Sequence, residues 1–138
     1  RLFDTKGKEV ANTFYWRSND KYEGRKTLTG PTSSGFEDLS KLKQVQLKTR
    51  YQTYQEGDRH FIKAEIKNPS STVAFFTQLQ LLGQDKKPVR PSFYTDNFFS
   101  LLPGESKTVI IETAASDMPS EPTFVVKGWN IKPSSFKL

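Results

Sequence analysis

Apolar and polar side chains alternate with a period of two along much of the chain, as they do in strands with one buried face. In 45–53, Val45, Leu47 and Tyr51 alternate with cations and glutamines. In 60–66, His60 and Ile62 begin a second alternating run, which ends at an Asn-Pro-Ser-Ser stretch. The Glu-Gly-Asp turn between the two runs predicts that they pair as a hairpin.

The run 72–82 carries the most bulky side chains. It places Val73, Phe75, Thr77, Leu79 and Leu81 on one face. Phe76 and Leu82 fall on the other face, which predicts a central strand covered on both sides for part of its length.

The remaining runs are shorter but have the same period. We predict them as strands at 1–3, 8–16, 98–102, 107–113 and 123–131. Pro103-Gly104 has the residue types of a type II turn, so we expect 98–102 and 107–113 to pair. Only 36–43 has helical spacing, and it predicts at most a short helix or turn. Seven to nine antiparallel strands indicate an all-β, two-sheet sandwich, although periodicity alone also allows a closed barrel.

Size and charge narrow the class of protein. The 138 residues are typical of one domain spanning 1–138, interrupted by a long polar loop at 17–35. The net charge is +6, but acids and bases are interspersed along the sequence, so we expect no nucleic-acid partner.

No apolar run approaches the ~20 residues that span a bilayer, so we expect no membrane partner either. Cysteine is absent, and the start at Arg1 without a signal-peptide pattern leads us to expect a fragment of a longer protein.

Residues with catalytic or metal-binding chemistry are scattered. His60 is the only histidine, and with no cysteine present it can build neither a zinc site nor a Ser-His-Asp triad. Glycine spacing excludes the usual phosphate-binding loops. Four carboxylates could supply a glycosidase pair, namely Glu65, Glu112, Asp96 and Asp117. The two glutamates lie on wet strand faces and the two aspartates in turns, so we predict no catalytic, cofactor or metal site.

The aromatic residues leave two interpretations open. Phe99 and Leu101 share a strand face, and we expect them in the core with Val109 and Ile111. Phe93 and Tyr94 precede that strand, where they could either fill the core or stack on a sugar whose hydroxyls bond Asp96 or Asn97.

The two tryptophans raise a similar question. Tyr15 and Trp16 are consecutive, so strand geometry turns one of them away from the core, to an interdomain or carbohydrate contact. For Trp129, which follows Gly128, we expect a close backbone approach and an aromatic lid over the core.

Five segments occur in an order that resembles one known family. They are LFDTKGKEVANTFYW, FEDLSKLKQVQLK, NPSSTVAFFTQLQLL, FYTDNFFSLLPGESKTVII and VKGWN. The chain resembles the immunoglobulin-like domain near the C-terminal end of glycoside hydrolase family two enzymes of the β-mannosidase and exo-β-glucosaminidase type. DNFFSLLPGES and GWN are the most specific parts, and the loop from Arg17 to Gly35 matches least.

The resemblance implies a non-catalytic accessory domain. In such enzymes the two catalytic glutamates of the retaining mechanism lie on a TIM barrel, which 138 residues cannot form, so no catalytic residue is carried over. The resemblance implies an immunoglobulin-like sandwich that packs against the other domains of the same polypeptide. It also implies a parent that hydrolyses β-mannosides or β-glucosaminides, often in the periplasm or outside the cell. An autonomous carbohydrate-binding module that takes an oligosaccharide is the alternative.

Overall fold

The computed structural model describes residues 2–15 and 37–138, which fall into two compact units, Arg1–Leu42 and Lys43–Leu138. In the smaller unit, strands β1 (Leu2–Phe3) and β2 (Glu9–Ala11) pair antiparallel. The Asp4 carboxylate fastens their turn by accepting the amide protons of Lys6 and Lys8. The predicted short helix is confirmed as α1 (Glu37–Ser40). Arg1, Trp16 and the loop at 17–35 lie outside the described residues.

Eight strands form the larger unit. They are β3 (Lys48–Glu56), β4 (Arg59–Lys67), β5 (Ala74–Leu82), β6 (Phe93–Tyr94), β7 (Phe99–Leu101), β8 (Ser106–Ala114), β9 (Thr123–Lys127) and β10 (Ser134–Lys137). The first sheet has the order β3-β4-β8-β6, and the second sheet has the order β10-β9-β5-β7. All strand pairs in both sheets are antiparallel.

The two sheets enclose one apolar core, so the predicted two-sheet sandwich is confirmed. The first sheet contributes Ile62, Ala64, Ile66, Val109 and Ile111, and the second contributes Ala74, Leu79, Leu81, Phe99, Leu101, Phe124 and Val126. Burying each large apolar side chain contributes about 1.5–3 kcal/mol, so this layer dominates the stability. The predicted core positions of Phe99 and Leu101 are confirmed.

The bounds of several strands differ from the prediction. The two sheets of the sandwich contain eight strands, within the predicted seven to nine, and β1 and β2 form a separate pair. Strands β6 and β10 were not predicted, because they are short and lack a clear apolar alternation. The predicted strand at 45–53 begins later, at Lys48. Val45 instead makes an isolated parallel bridge with Ile131. In 8–16, only β2 is a strand among the described residues.

The predicted pairing of 98–102 with 107–113 is wrong. Strand β7 pairs with β5 in the second sheet, whereas β8 pairs with β4 in the first. The turn at Pro103-Gly104 therefore carries the chain from one sheet to the other. Asn68 at the end of β4 holds this turn, because its backbone carbonyl accepts the Gly104 amide and its amide donates to the Glu105 carbonyl.

The buried side chain of Asn68 adds further bonds across the sandwich. Its amide nitrogen donates to the carbonyls of Thr72 at 2.8 Å and Leu101 at 3.0 Å, and its oxygen accepts from the Ser70 amide and hydroxyl. A single side chain thus ties the end of the first sheet to β7 of the second. Both an amide donor and an amide acceptor are needed, which only asparagine provides at this length.

Strand β5 is central in its sheet, as predicted, but its alternation is interrupted. Its pairing with β7 shifts between Ala74 and Thr77, so two residues fill a step that one would normally take. Ala74 and Thr77 point inward, Phe75 is half-buried and Phe76 is exposed. The prediction that Val73, Phe75 and Thr77 share one face is therefore wrong, because the bulge reverses the facing of the residues before it.

No helix in the described portion is long and apolar enough to cross a membrane.

Replacing Asn68 with alanine should destabilise the protein by about 2–3 kcal/mol, because the buried Leu101 carbonyl would lose this donor and the Ser70 amide would lose its acceptor. Urea unfolding measures this loss. Asn12→Ala is the matched control, since Asn12 is exposed, and its midpoint should not move. Equal unfolding midpoints for the wild type and Asn68→Ala would contradict this role.

Candidate functional site

The six residues predicted as contact residues divide into exposed and internally bonded groups. Tyr15 is 79% exposed in the smaller unit, and Trp16 lies outside the described residues. Phe93 on β6 is 56% exposed, whereas Tyr94 is half-buried against the core. Asp96 and Asn97 follow β6 and make internal contacts. Among these six residues, Tyr15 and Phe93 are therefore the exposed aromatics that the structure describes, and their contacts stay a prediction.

The Tyr94 hydroxyl bonds to the backbone of the opposite sheet. It accepts the amide proton of Leu81 on β5 at 3.0 Å. Burial raises the pKa of Tyr94, and the bond from the Leu81 amide offsets part of this effect. The half-buried ring and the bonded hydroxyl leave Tyr94 little free surface for a sugar, and a contact there stays a prediction.

Asp96 and Asn97 are occupied in the same way. One Asp96 oxygen forms an ion pair with Lys107 and the other accepts the Asn97 amide. The Asn97 side chain accepts the Leu79 amide at 2.8 Å and donates to the Leu79 carbonyl at 3.0 Å. Asn97 thus makes the two hydrogen bonds that a neighbouring strand would make, because β7 does not extend along β5 beyond Thr77. These polar atoms have partners without any sugar.

Phe93 lies among charged and aromatic groups on the outer face of the first sheet. The Arg59 guanidinium sits 5.8 Å from its ring centroid, and the same arginine bonds the Glu112 carboxylate. Phe61 on β4, two strands away, and Tyr54 on β3, three strands away, stack on each other at 5.0 Å. The Phe93 ring thus lies beside a cation, and a little over half of the residue is exposed.

The carboxylates do not assemble into a glycosidase pair. Glu112 bonds Arg59, Asp96 pairs with Lys107, and Asp117 lies in an exposed 3-10 turn. Glu65 is four residues along β4 from Phe61, the residue opposite Glu112, which separates the two glutamates by about 13 Å along the strand. Glycosidase carboxylates are about 5–9.5 Å apart. No group of three His, Cys, Asp or Glu side chains suited to a metal exists among the described residues.

The bulge in β5 instead brings three phenylalanines together, which we call the bulge cluster: Phe75, Phe76 and Phe98. The ring centroid of Phe76 is 6.0 Å from Phe75 and 5.3 Å from Phe98. Phe76 and Phe98 have φ of 58° and 57°, the left-handed region that non-glycine residues rarely adopt. Both rings are about half exposed. A strained backbone that holds aromatic rings in solvent is typical of an interaction surface.

The Gly128-Trp129-Asn130 segment fits directly against this bulge. A Cβ on Gly128 would lie 2.8 Å from the Phe76 carbonyl oxygen and 2.5 Å from Ile131 Cδ1, which confirms the predicted close approach. The Trp129 amide donates to the Phe75 carbonyl, and Asn130 Oδ1 accepts the Phe75 amide. Trp129 is not a lid over the core, since it is 61% exposed. The backbone of Trp129 is thus fixed to the bulge.

The molecule is thus a two-sheet sandwich whose described residues assemble no catalytic centre and whose distinctive motifs build an aromatic surface. The family described as the exo-β-D-glucosaminidase Ig-fold domain matches residues 27–131. The chain belongs to this family, and its sandwich is of the immunoglobulin type. Of the two enzyme types that the sequence resembles, this match selects the exo-β-D-glucosaminidase type.

Known relatives are much longer. An exo-β-D-glucosaminidase of Streptomyces avermitilis is 32% identical over 94% of this chain, and one of Amycolatopsis orientalis is 29% identical over 94%. The chain spans about 15% and 14% of their lengths. The crystal structure of the Amycolatopsis orientalis exo-chitosanase CsxA superposes with a TM-score of 0.81 at 25% identity, covering 99% of this chain and 17% of that one. The region is therefore a small accessory domain within these hydrolases, and it is not their catalytic part.

The bulge cluster was not predicted from the sequence. The usable signal is the Ala74-Phe75-Phe76-Thr77 stretch, in which two adjacent aromatics break the period of two. Phe98 precedes Phe99 on the chain, so the period of two places it on the face opposite the buried Phe99. Its positive φ has no sequence signature, because phenylalanine is disfavoured in that conformation.

We expect Phe98→Gly to be more stable than Phe98→Ala by about 1 kcal/mol, which reverses the usual order because glycine adopts positive φ without strain. Both variants lack the ring, so their difference isolates the backbone. At Phe93, whose backbone is an ordinary strand, alanine should be the more stable of the two. Urea unfolding of the four variants measures both differences. A stability advantage for alanine at both positions would show that Phe98 is unstrained.

Proposed function

We propose that this chain is the accessory domain of an exo-β-D-glucosaminidase and packs against another domain of the same polypeptide through the bulge cluster. The observation that carries the proposal is the pair of exposed phenylalanines at positive φ, Phe76 and Phe98. A fold retains such strain where a function depends on the side chains. The chain corresponds to about 15% of the length of its Streptomyces avermitilis relative. In a parent enzyme of similar length, the other domains would supply the partner surface.

The chemistry of the cluster suits a protein partner. Large aromatic side chains are enriched in interface centres, where excluding water from their rings provides much of the binding energy. Trp129 is fixed beside the bulge by the bond from its backbone amide to the Phe75 carbonyl, and part of its side chain is exposed. A neighbouring domain that covered these rings would offset the strain of the left-handed residues.

A second candidate function is carbohydrate binding by the domain itself. Phe93 favours it, because the ring is exposed and beside the polar groups of Arg59 and Glu112. Titration with chitosan, mannan or cello-oligosaccharides would shift the amide resonance of Phe93 if this candidate is right. Internal bonds to Tyr94 and Asn97 reduce the number of groups left for sugar hydroxyls, so we rank it second.

In the complete enzyme, replacing both Phe76 and Phe98 with asparagine should weaken domain packing by about 1–3 kcal/mol, since two interface aromatics are removed. Asparagine tolerates the left-handed backbone, so the domain itself should keep its fold. Thermal unfolding should then separate into two transitions. The isolated domain should release no nitrophenol from an aryl β-D-glucosaminide.

The matched control is the double variant Tyr54→Thr and Phe61→Thr, which removes a stacked aromatic pair from the other sheet. It should leave a single unfolding transition. Unchanged unfolding of the bulge variant, or hydrolysis by the isolated domain, would contradict the proposal.

A further inference from the structure

Four cations gather on the outer face of the first sheet. They come from alternate positions of two neighbouring strands, Lys48 and Arg50 on β3 and Lys63 and Lys67 on β4. The register places Lys48 directly opposite Lys67. The sequence disperses its acids and bases, but antiparallel pairing collects these side chains on one surface. The expectation of dispersed charge is therefore wrong for this face.

This arrangement has an electrostatic cost. Like charges directly opposite each other destabilise a sheet, and Lys48 and Lys67 are such a pair. Among the residues that the structure describes, none of the four cations belongs to an ion pair. A bound anion would relieve this repulsion, so charge complementarity indicates an anionic ligand.

The surface also has the shape of a binding site. Two adjoining open cavities of about 580 Å³ and about 460 Å³ share Arg50 and Glu65 among their lining residues. The first also contains Gln52, Lys63 and Thr108, and the second contains Lys48 and Lys67. We call this continuous depression the basic groove. Its four cations surround a single carboxylate, that of Glu65.

We propose that the basic groove binds an acidic polysaccharide, a polymer that carries both carboxylates and hydroxyl groups. Lysine and arginine would pair with the ligand carboxylates. The Glu65 carboxylate would accept hydrogen bonds from sugar hydroxyls. Gln52 and Thr108 add neutral donors and acceptors at the same level of the sheet.

Other anionic partners fit less well. Single-stranded nucleic acids stack their bases on exposed aromatic rings. The nearest such pair, Tyr54 and Phe61, stack on each other with an interplanar angle of 11°, which closes their facing sides. A protein interface is disfavoured because lysine, which supplies three of the four cations, is depleted in such interfaces. The inference goes beyond the accessory role, and the groove would repel a polymer of protonated glucosamine.

Calorimetric titration of the full protein with polygalacturonate tests the proposal. We expect binding that weakens as salt is added, and no binding to the fully methyl-esterified polymer, which keeps hydroxyls but lacks charge. Replacing Lys48, Lys63 and Lys67 with glutamine should weaken binding by about tenfold, as expected for the loss of three exposed ion pairs. Equal binding of the esterified polymer, or tighter binding of single-stranded DNA, would overturn the proposal.

Two further variants separate a specific site from general charge. Replacing Lys86, Lys127 and Lys132 with glutamine removes the same net charge from the second sheet and its connections, and should change affinity by less than about twofold because distant charges are screened. Glu65→Ala should weaken binding although it removes a negative charge, because it removes the acceptor for sugar hydroxyls. An equal loss in the control triple variant, or tighter binding by Glu65→Ala, would refute a specific site.

Discussion

The sandwich depends on how the exposed edge of β5 is covered. β7 pairs with this edge only at Ala74 and Thr77, so the backbone groups of Leu79 and Leu81 face a gap in the sheet. Side chains fill the gap: Asn97 bonds both backbone groups of Leu79, and the Tyr94 hydroxyl accepts the Leu81 amide. Buried backbone groups without partners would cost free energy comparable to several lost hydrogen bonds. The segment between the sheets is therefore fixed in place.

This constraint explains why the chain's distinctive motifs are not catalytic. Asn97 bonds Leu79, and the next residue, Phe98, has a left-handed backbone and a half-exposed ring against Phe76 on the bulge. Polar groups that could have contacted a substrate hold strands together, and aromatic rings remain outside. An accessory domain can use such a surface for packing, whereas the basic groove on the opposite sheet remains open to a ligand.

Sequence patterns predict the regular parts well. Strands β4 and β8 keep an unbroken period of two, and their bounds were predicted to within one residue. A side chain that takes the place of a strand partner leaves no periodic pattern in the sequence, so the structural role of Asn97 could not be predicted. The sheet crossing at Pro103-Gly104 could not be predicted either, because a turn sequence does not reveal whether the flanking strands pair with each other. The groove was missed for another reason: which cations become neighbours depends on register, and register is a property of the folded sheet.

Hydrogen exchange of the Leu79 and Leu81 amides tests the central claim most directly. Both protons are donated to side chains, and we expect them to exchange as slowly as the Ala64 amide within the ladder of β4. Asn97→Ala should accelerate exchange at Leu79 before it affects Ala64. Exchange of Leu79 and Leu81 at the rate of an exposed loop in the unmodified protein would contradict the account.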